Sequence, residues 1–178
     1  MLGGVLLTLL CAGCTQAPTT SDAKTADAKA SDTTAKDIAD IKAMEDRFIK
    51  ASATKDVNAI MAFYVPDDSL FVYDVSPPRQ YVGAAAYRKD WTDLLSLFPG
   101  PIDVSISDLD VTAGGGDIAW GHSIQHLAGT MKDGKKMDLT VRITDGYKRV
   151  NGQWLIAHEH VSVPVDVLTG KADLTSKP

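Results

Sequence analysis

The sequence predicts an α+β domain in which helices come first and an antiparallel sheet follows. Much of residues 37–98 carries apolar side chains at three- and four-residue spacing, which is typical of helices that bury one face. From Ile102 onward the pattern changes to alternation of apolar and polar residues, which is typical of strands with one buried face. Asp133-Gly134 and Asn151-Gly152 interrupt the alternation and favour hairpin turns. Because no helical pattern separates these strands, we expect an antiparallel sheet.

Three helices are predicted ahead of the main sheet. The first covers Asp37 to Thr54, and the third follows Gly83. Between them, Asp56 is suited to cap a short second helix, and residues 69–75 alternate as a strand. The apolar stripe that the first helix would bury consists of Ile38, Ile41, Met44, Phe48 and Ala51.

The stretch from Thr140 to Val163 is predicted to form the two central strands, joined at Asn151-Gly152. Strict alternation divides the side chains of the second strand between two faces. Ionisable groups occur on both faces of this otherwise apolar strand, so either face is a candidate site for chemistry. One face carries Trp154, Ile156, His158, His160 and Ser162, and the other carries Leu155, Ala157, Glu159, Val161 and Val163.

Residues 1–13 are predicted to be the signal peptide of a bacterial lipoprotein. Residues 2–10 form an apolar run that is too short to span a bilayer. Ala12 and Gly13, directly before Cys14, resemble a lipobox, which implies cleavage before Cys14 and diacylglycerol on its thiol. We therefore expect a lipid-anchored protein of the cell envelope, periplasmic or at the outer membrane if the cell is Gram-negative. A buried N-terminal helix is the alternative.

Residues 14–36 are predicted to be a disordered tether. From Thr15 to Lys36 the chain has no Val, Ile, Leu, Met or aromatic residue, so it cannot bury enough apolar surface to offset its ordering entropy. An Ala-rich helix over part of this segment is the alternative. The folded domain is then residues 37–166, and residues 167–178 form a C-terminal tail.

Charge and motif content argue against several classes of function. The net charge of -5 and the lack of an extended basic patch disfavour a nucleic-acid partner. The chain has no Gly-rich phosphate loop or GxSxG motif, and we expect no cofactor. His158 and His160, with His122 and His126, are a possible set of metal ligands. Because cysteine is unavailable and the acidic residues alternate to other faces, we favour structural histidines and no metal.

Three phrases, KDVNAIMAFYVPDDSLFVYD, GDIAWG and RITDGYKRVNGQWLIAHEHVS, follow the order of the predicted elements. Together they resemble the SnoaL-like families of the nuclear transport factor 2 superfamily, from residue 37 to about 165. The spacing of Trp154, His158, His160 and Ser162 is similar to that in the association domain of calcium/calmodulin-dependent kinase II. The resemblance implies a cone-shaped, cystatin-like fold, in which a curved antiparallel sheet wraps over three helices and encloses a pocket. The superfamily includes isomerases, cyclases, dehydratases, epoxide hydrolases and binding modules, so the fold alone does not give the reaction.

Similarity to ketosteroid isomerase, a member of the same superfamily, implies two catalytic carboxyls. The general base falls at Asp74, and the protonated oxyanion-hole aspartate falls at Asp145. The oxyanion-hole tyrosine falls at Phe48, which has no hydroxyl, so steroid isomerisation is disfavoured. Asp145 and Glu159 lie on paired strands, where sharing a proton would raise one pKa into a range useful for acid/base work. An ion pair between Asp145 and Arg142 is the alternative.

Similarity to the kinase association domain implies which side chains enter the pocket. It places Gln125, Asp145 and Val161 there, and it turns Glu159 inward and the neighbouring histidines outward. Because these pocket residues are neutral or acidic, we expect a neutral or cationic, largely apolar ligand. For the aromatic residues, packing in the core between helices and sheet is the alternative. The expected pocket residues are Tyr64, Tyr73, Trp91, Gln125, Asp145, Glu159 and Val161.

Two functions of different classes follow. The first is a membrane-anchored module that binds a small, largely apolar ligand. The second is a general acid/base enzyme of the isomerase, cyclase or hydrolase type that uses Asp74 and Asp145. We also expect a homodimer, because the outer sheet face would expose a large apolar patch in a monomer. The residues assigned to that patch are Trp120, Ile124, Trp154 and Ile156.

Overall fold

The computed structural model describes residues 20–176, with side chains from residue 32 onward. The predicted signal peptide and Cys14 lie outside the described residues. The α+β arrangement with three helices is as predicted, and six strands accompany the helices. Within residues 20–176, none of the helices has the length and hydropathy that crossing a bilayer requires. The elements are α1 Thr20–Thr54, α2 Val57–Met61, β1 Phe71–Tyr73, β2 Tyr81–Val82, α3 Ala84–Ser96, β3 Ile102–Ala113, β4 Ile118–Thr130, β5 Lys136–Val150 and β6 Gln153–Ser162.

Helix α1 begins well before Asp37, where the apolar stripe starts. Residues 20–36 are helical, so the prediction of a disordered tether is wrong there and the Ala-rich helix is the alternative that applies. Alanine and lysine have high helix propensity, and Lys36 pairs with Asp40 one turn later at 2.5 Å. The segment also continues a helix that is already anchored by packing, which removes the cost of nucleation.

The C-terminal half of α1 packs on the sheet and carries part of the core. Ile41, Met44 and Phe48 are buried, as the apolar stripe predicted. Near the start of this half, the buried carboxylate of Asp37 pairs with Arg149 at 2.5 Å. The Arg149 guanidinium lies 4.2 Å from the centroid of the Trp154 ring. These contacts fix α1 to the β5–β6 hairpin.

Local signals placed the turns and caps correctly. The Asp56 side chain accepts hydrogen bonds from the backbone N–H groups of Asn58 and Ala59, at 2.9 and 3.3 Å, and so caps α2. The turn between β5 and β6 has positive φ at both Asn151 and Gly152, which is the conformation that a type I′ turn requires.

The sheet has the strand order β2-β1-β6-β5-β4-β3. All neighbouring pairs are antiparallel except β1 and β6, which are parallel. The short strand β1 therefore extends the main sheet beside the central hairpin. This pairing brings the start of β1 next to the middle of β6, where His158 lies opposite Phe71, and the end of β1 at Tyr73 opposite His160.

A bulge in β6 changes which side chains face inward. Gly146 pairs with His158 and Tyr147 pairs with Ile156, so Ala157 is one additional residue on β6. One additional residue inverts the alternation on its far side. Trp154 and Ile156 are therefore buried before the bulge, whereas after the bulge Glu159 is buried. The prediction of one uninterrupted alternation is wrong, and so is the assignment of Trp154 and Ile156 to the outer face.

Candidate functional site

A cavity of about 280 Å³ lies between α1, α3 and the inner face of the sheet. Most of its wall is apolar. Four carboxyl groups also line it, those of Asp74, Asp90, Asp93 and Glu159, whereas no Lys or Arg does so among the described residues. The apolar side chains of the wall are Phe48, Val75, Trp91, Leu94, Leu97, Val104, Leu127, Leu139, Val141, Ile143 and Val161.

Glu159 is held in the cavity wall by two tyrosines from different elements. Tyr64 follows α2 and donates its hydroxyl hydrogen bond to Glu159 Oε2 at 2.8 Å. Tyr87 lies on α3 and donates to Glu159 Oε1 at 2.5 Å. Burial raises the pKa of both tyrosines well above the usual value, so both hydroxyls remain protonated donors. Each carboxyl oxygen thus has a fixed partner.

Two further carboxyls are buried near Glu159. Asp145 lies directly opposite Glu159 in the β5–β6 ladder, and Glu45 lies on α1. Their exposed fractions are 3% and 1%. Asp145 Oδ1 and both carboxyl oxygens of Glu45 have no hydrogen-bond partner within the described part of the chain. We refer to Glu45, Asp145 and Glu159 as the carboxyl cluster.

Tyr147 brings a hydroxyl group to the carboxyl cluster. Its hydroxyl lies 3.5 Å from Asp145 Oδ2, which is a long hydrogen bond. Gly121, on the neighbouring strand, makes room for this ring. A Cβ at Gly121 would lie 3.2 Å from the Tyr147 hydroxyl and 2.9 Å from the backbone oxygen of Asp110. Glycine is therefore the residue that lets Tyr147 reach the cluster.

The environment of the carboxyl cluster favours bound protons. Burial raises the pKa of Glu159 to about 7, with Asp74 and Asp90 adding to the rise and the two tyrosine hydrogen bonds opposing it. Burial also raises the pKa of Glu45 to about 7; the nearby Tyr147 hydroxyl moderates this rise, although its geometry makes no hydrogen bond with Glu45. The pKa of Asp145 is raised well above its usual range by burial and by the other two carboxyls. No ion pair with a basic residue compensates these three groups among the described residues.

Asp74 and Asp90 add acidic groups to the cavity. Asp74 directly follows β1, and burial raises its pKa, while the backbone N–H of Ser76 donates to it at 3.0 Å and lowers the pKa. Asp90 on α3 accepts a hydrogen bond from Tyr81 at 2.6 Å, and burial raises its pKa as well. Negative charge in the empty cavity is therefore unfavourable near Glu159.

Comparison with known proteins gives a family. The profile of the SnoaL-like domain matches residues 41–166. This chain belongs to the SnoaL-like family. A solved nuclear transport factor 2-like protein of unknown function from Pseudomonas putida KT2440 is 30% identical, with 82% of this chain and 99% of that chain covered and a TM-score of 0.72. Comparison with curated proteins gives no match.

Two more distant structures share the fold of this SnoaL-like domain. One is a candidate calcium/calmodulin-dependent protein kinase II association domain from Xanthomonas campestris, 24% identical, covering 71% and 87% of the two chains with a TM-score of 0.61. The other is a candidate scytalone dehydratase from Novosphingobium aromaticivorans, 18% identical, covering 76% and 89% with a TM-score of 0.67. At these identities the likeness establishes the fold alone.

The SnoaL-like domain brings together part of the predicted pocket. Trp91, Gln125, Glu159, Val161 and the proposed base Asp74 line the cavity. The remaining predicted pocket residues do not line it. Tyr64 and Asp145 are buried outside the cavity wall, and Tyr73 is 38% exposed.

Asp145 has no ion pair with Arg142. The two residues are three positions apart on β5, so their side chains lie on opposite faces of the sheet. Accordingly, Arg142 is exposed whereas Asp145 is buried. The structure thus contradicts the ion-pair alternative, because the partner points away from the cluster.

Sequence reasoning missed Glu45, Tyr87 and Asp90 as parts of the site. Glu45 does carry a signal, since it lies four residues after Ile41 and three before Phe48 on the buried stripe of α1. A carboxyl at such a position is unusual and indicates a special environment. Tyr87 and Asp90 carry no comparable signal, because aromatic and acidic residues are common on amphipathic helices.

Two histidines make contacts with groups outside the carboxyl cluster, although His126 also lines the cavity. His158 Nδ1 contacts the backbone oxygen of Phe71 at 2.8 Å, and His126 Nε2 contacts Asp138 at 2.8 Å. Within the described residues, no group of three or more His, Cys, Asp or Glu side chains has the arrangement of a metal site.

Proposed function

We propose that this domain binds a small, largely apolar molecule that carries a positive charge. The observation that supports the proposal is the combination of an apolar cavity with four acidic side chains and, among the described residues, no Lys or Arg side chain in its wall. His126 also lines the cavity, and its Nε2 contacts Asp138 at 2.8 Å. Apolar walls favour an apolar body, and carboxylates favour a cationic group in an environment where charge is poorly screened. An anionic ligand would meet like charges at Asp74, Asp90 and Glu159.

Glu159 is the best-placed partner for the cationic group. Its oxygens are fixed by Tyr64 and Tyr87, so a ligand would meet an acceptor that is already oriented. Trp91 also lines the cavity, and its buried indole N–H has no hydrogen-bond partner among the described residues. A ligand oxygen that accepted this hydrogen bond would remove the cost of the unpaired donor, about 1 to 3 kcal/mol.

The test compares two ligands of the same shape that differ in charge. Benzyltrimethylammonium is expected to bind at pH 8 at least about tenfold more tightly than its neutral isostere neopentylbenzene, a difference of about 1.4 kcal/mol. Tryptophan fluorescence of the full chain measures both affinities. Glu159→Gln should weaken binding of the cation and leave binding of the isostere almost unchanged. Asp103→Asn, which removes an exposed carboxyl outside the cavity, is the matched control. Equal affinity of the wild type for both ligands would contradict the proposal.

A second candidate function is general acid/base catalysis on a ligand in the same cavity. It is favoured by the raised pKa values of Asp74 and Glu159, since both groups line the cavity and an acid or base works best when its pKa lies near the operating pH. The pair would be Asp74 and Glu159, because Asp145 does not line the cavity. The candidate dehydratase among the similar structures is consistent with such chemistry. If the wild-type domain converts a bound compound into a chemically different product and Asp74→Asn abolishes that conversion, the result would favour the enzyme over the binding module.

We also propose that the protein is anchored in the cell envelope through lipid on Cys14. The support is the lipobox-like sequence before this residue, which itself lies outside the described residues. Full-length protein is expected in the membrane fraction of a bacterial host, and Cys14→Ala is expected to move it to the soluble fraction. Cell fractionation with a carbonate wash measures this. The Cys11→Ala variant is the matched control, because it removes the other cysteine. Retention of Cys14→Ala in washed membranes would exclude the anchor.

A further inference from the structure

We infer that binding of a cationic ligand in this cavity releases a proton from the carboxyl cluster, and that Glu45 and Asp145 set the pH at which such ligands bind. Neither residue lines the cavity, so both would act through Glu159. The inference rests on the proposed function. It adds that the positive charge of the ligand takes the place of a proton that the carboxyl cluster holds before binding.

The carboxyl cluster lacks any compensating cation within the described residues. Asp145 and Glu159 are direct partners across two strands, and Glu45 faces them from α1. Three of their six carboxyl oxygens are buried without a hydrogen-bond partner. Among the described residues, the acidic and phenolic groups that face the cluster are Asp46 from α1, Tyr64 after α2, Asp74 after β1, Tyr87 and Asp90 from α3, and Tyr147 from β5. Of the groups that can carry positive charge, His126 from β4 lines the cavity, and its Nε2 contacts Asp138 at 2.8 Å.

Ionisation of all three carboxyls is therefore strongly unfavourable when no ligand occupies the cavity. Glu159 raises the pKa of both Glu45 and Asp145 by repulsion between like charges. Because this repulsion is mutual, the three groups titrate together and retain protons near neutral pH. A cationic group beside Glu159 reverses this balance, because it stabilises the carboxylate. The protonated carboxyl and the ligand cation become a carboxylate–cation pair, and one proton passes to solvent.

Glu45 and Asp145 influence this step through their charge. While either one is ionised, Glu159 retains its proton more strongly, and binding of the cation must displace that proton. With both replaced by isosteric amides, Glu159 would already be ionised in the empty cavity at lower pH. The ligand would then bind more tightly near pH 6.5 and displace fewer protons. A purely structural role for the two residues would not change the number of protons released.

The number of released protons is measurable by isothermal titration calorimetry of the full chain. Benzyltrimethylammonium is the probe, because its charge does not depend on pH and any proton must come from the protein. The probe is titrated at pH 6.5 in phosphate and in imidazole, two buffers of different ionisation enthalpy. The difference in observed binding enthalpy gives the number of protons released per ligand, which should be measurably above zero and below one. The affinity should rise between pH 5 and pH 7 by up to about tenfold per pH unit, which is the limit for one proton.

Variants separate this inference from the proposed function. The double variant Glu45→Gln/Asp145→Asn should bind the probe about threefold or more tightly at pH 6.5 and release less than about half as many protons as the wild type. Circular dichroism would check its fold, and the two single variants would replace it if it does not fold. Asp103→Asn should behave as the wild type.

Each result has a distinct meaning. If the wild type releases no proton while Glu159→Gln still weakens binding of the probe, the inference is wrong and the proposed function stands. The inference is also wrong if the double variant and the single variants release as many protons as the wild type. If Glu159→Gln leaves the affinity for the probe unchanged, the proposed function itself fails.

Discussion

The domain is expected to lose stability as the pH rises from about 4.5 to about 7. These limits are the usual pKa of a glutamic acid and the raised pKa of both Glu45 and Glu159 in the folded protein. Within this window the unfolded chain gives up protons that the folded domain retains, so ionisation favours unfolding. The stabilising effect is complete below the unfolded pKa and is lost as the pH passes the folded pKa. One such carboxyl changes the free energy of unfolding by about 3 kcal/mol, and urea denaturation at pH 5 and pH 8 measures the change.

Asp145→Asn tests the origin of this pH dependence. The substitution removes a buried ionisable group and keeps its shape, so it should leave the stability at pH 5 almost unchanged and raise it at pH 8 by about 1 to 3 kcal/mol. The substitution breaks no ion pair with Arg142, because that residue lies on the other face of the sheet. Asp103→Asn, at an exposed position, should have no comparable effect. A loss of stability at pH 8 in Asp145→Asn would show that its carboxylate is stabilising and would exclude protonation as the cause.

Signals within a few residues predicted much of the fold. The Asn151-Gly152 turn depends only on the preference of these two residues for positive φ, and the cap at Asp56 depends only on its side chain and the amides two and three residues later. The extent of α1 was not predictable in the same way. An Ala-rich segment without large apolar residues has no side chains to bury in a core, so its sequence does not predict a folded segment. Here it continues a helix that packing has already nucleated.

The inner face of β6 could not be predicted from alternation. The bulge at Ala157 has no distinct sequence signal, and it places Trp154 and Glu159 on the same side although they are five residues apart. The family resemblance gave the inward direction of Glu159 because it compares positions beyond the bulge. Glu45 was missed because its partners Asp145 and Glu159 are 100 and 114 residues away in the chain, a separation that no local pattern spans.

The outer face of the sheet is where we propose a homodimer. The structure removes Trp154 and Ile156 from this face, but Ile118 and Trp120 remain 65% and 48% exposed on β4. The register places Trp120 opposite Gly146, which has no side chain to cover the ring. The exposed ring projects from the sheet, and the glycine leaves an open space beside it. In a dimer with a two-fold axis, the ring of each copy can pack into the open space of the other.

The charges of the outer face are also compatible with self-association. Asp110 on β3 and Arg142 on β5 are both exposed on this side of the sheet. A two-fold axis through the face can bring groups of opposite sign together, whereas a face of one sign would repel its copy. A partner of strongly acidic or basic character is less well matched to such a mixed surface.

Trp120→Glu is expected to convert the dimer into a monomer. The wild-type domain should sediment as a dimer at about 10 µM, a concentration at which a dimer with a Kd near 1 µM is mainly formed. Replacing the aromatic ring with a carboxylate removes apolar contact area and places two like charges near the axis, which should raise the Kd at least about 100-fold, or about 2.7 kcal/mol. Analytical ultracentrifugation over a concentration series measures both proteins. Leu168→Glu, which adds the same charge at an exposed apolar position in the C-terminal tail, should remain a dimer. A wild-type domain that is monomeric at about 100 µM would exclude the interface, because a Kd above this value is weaker than a stable dimer requires.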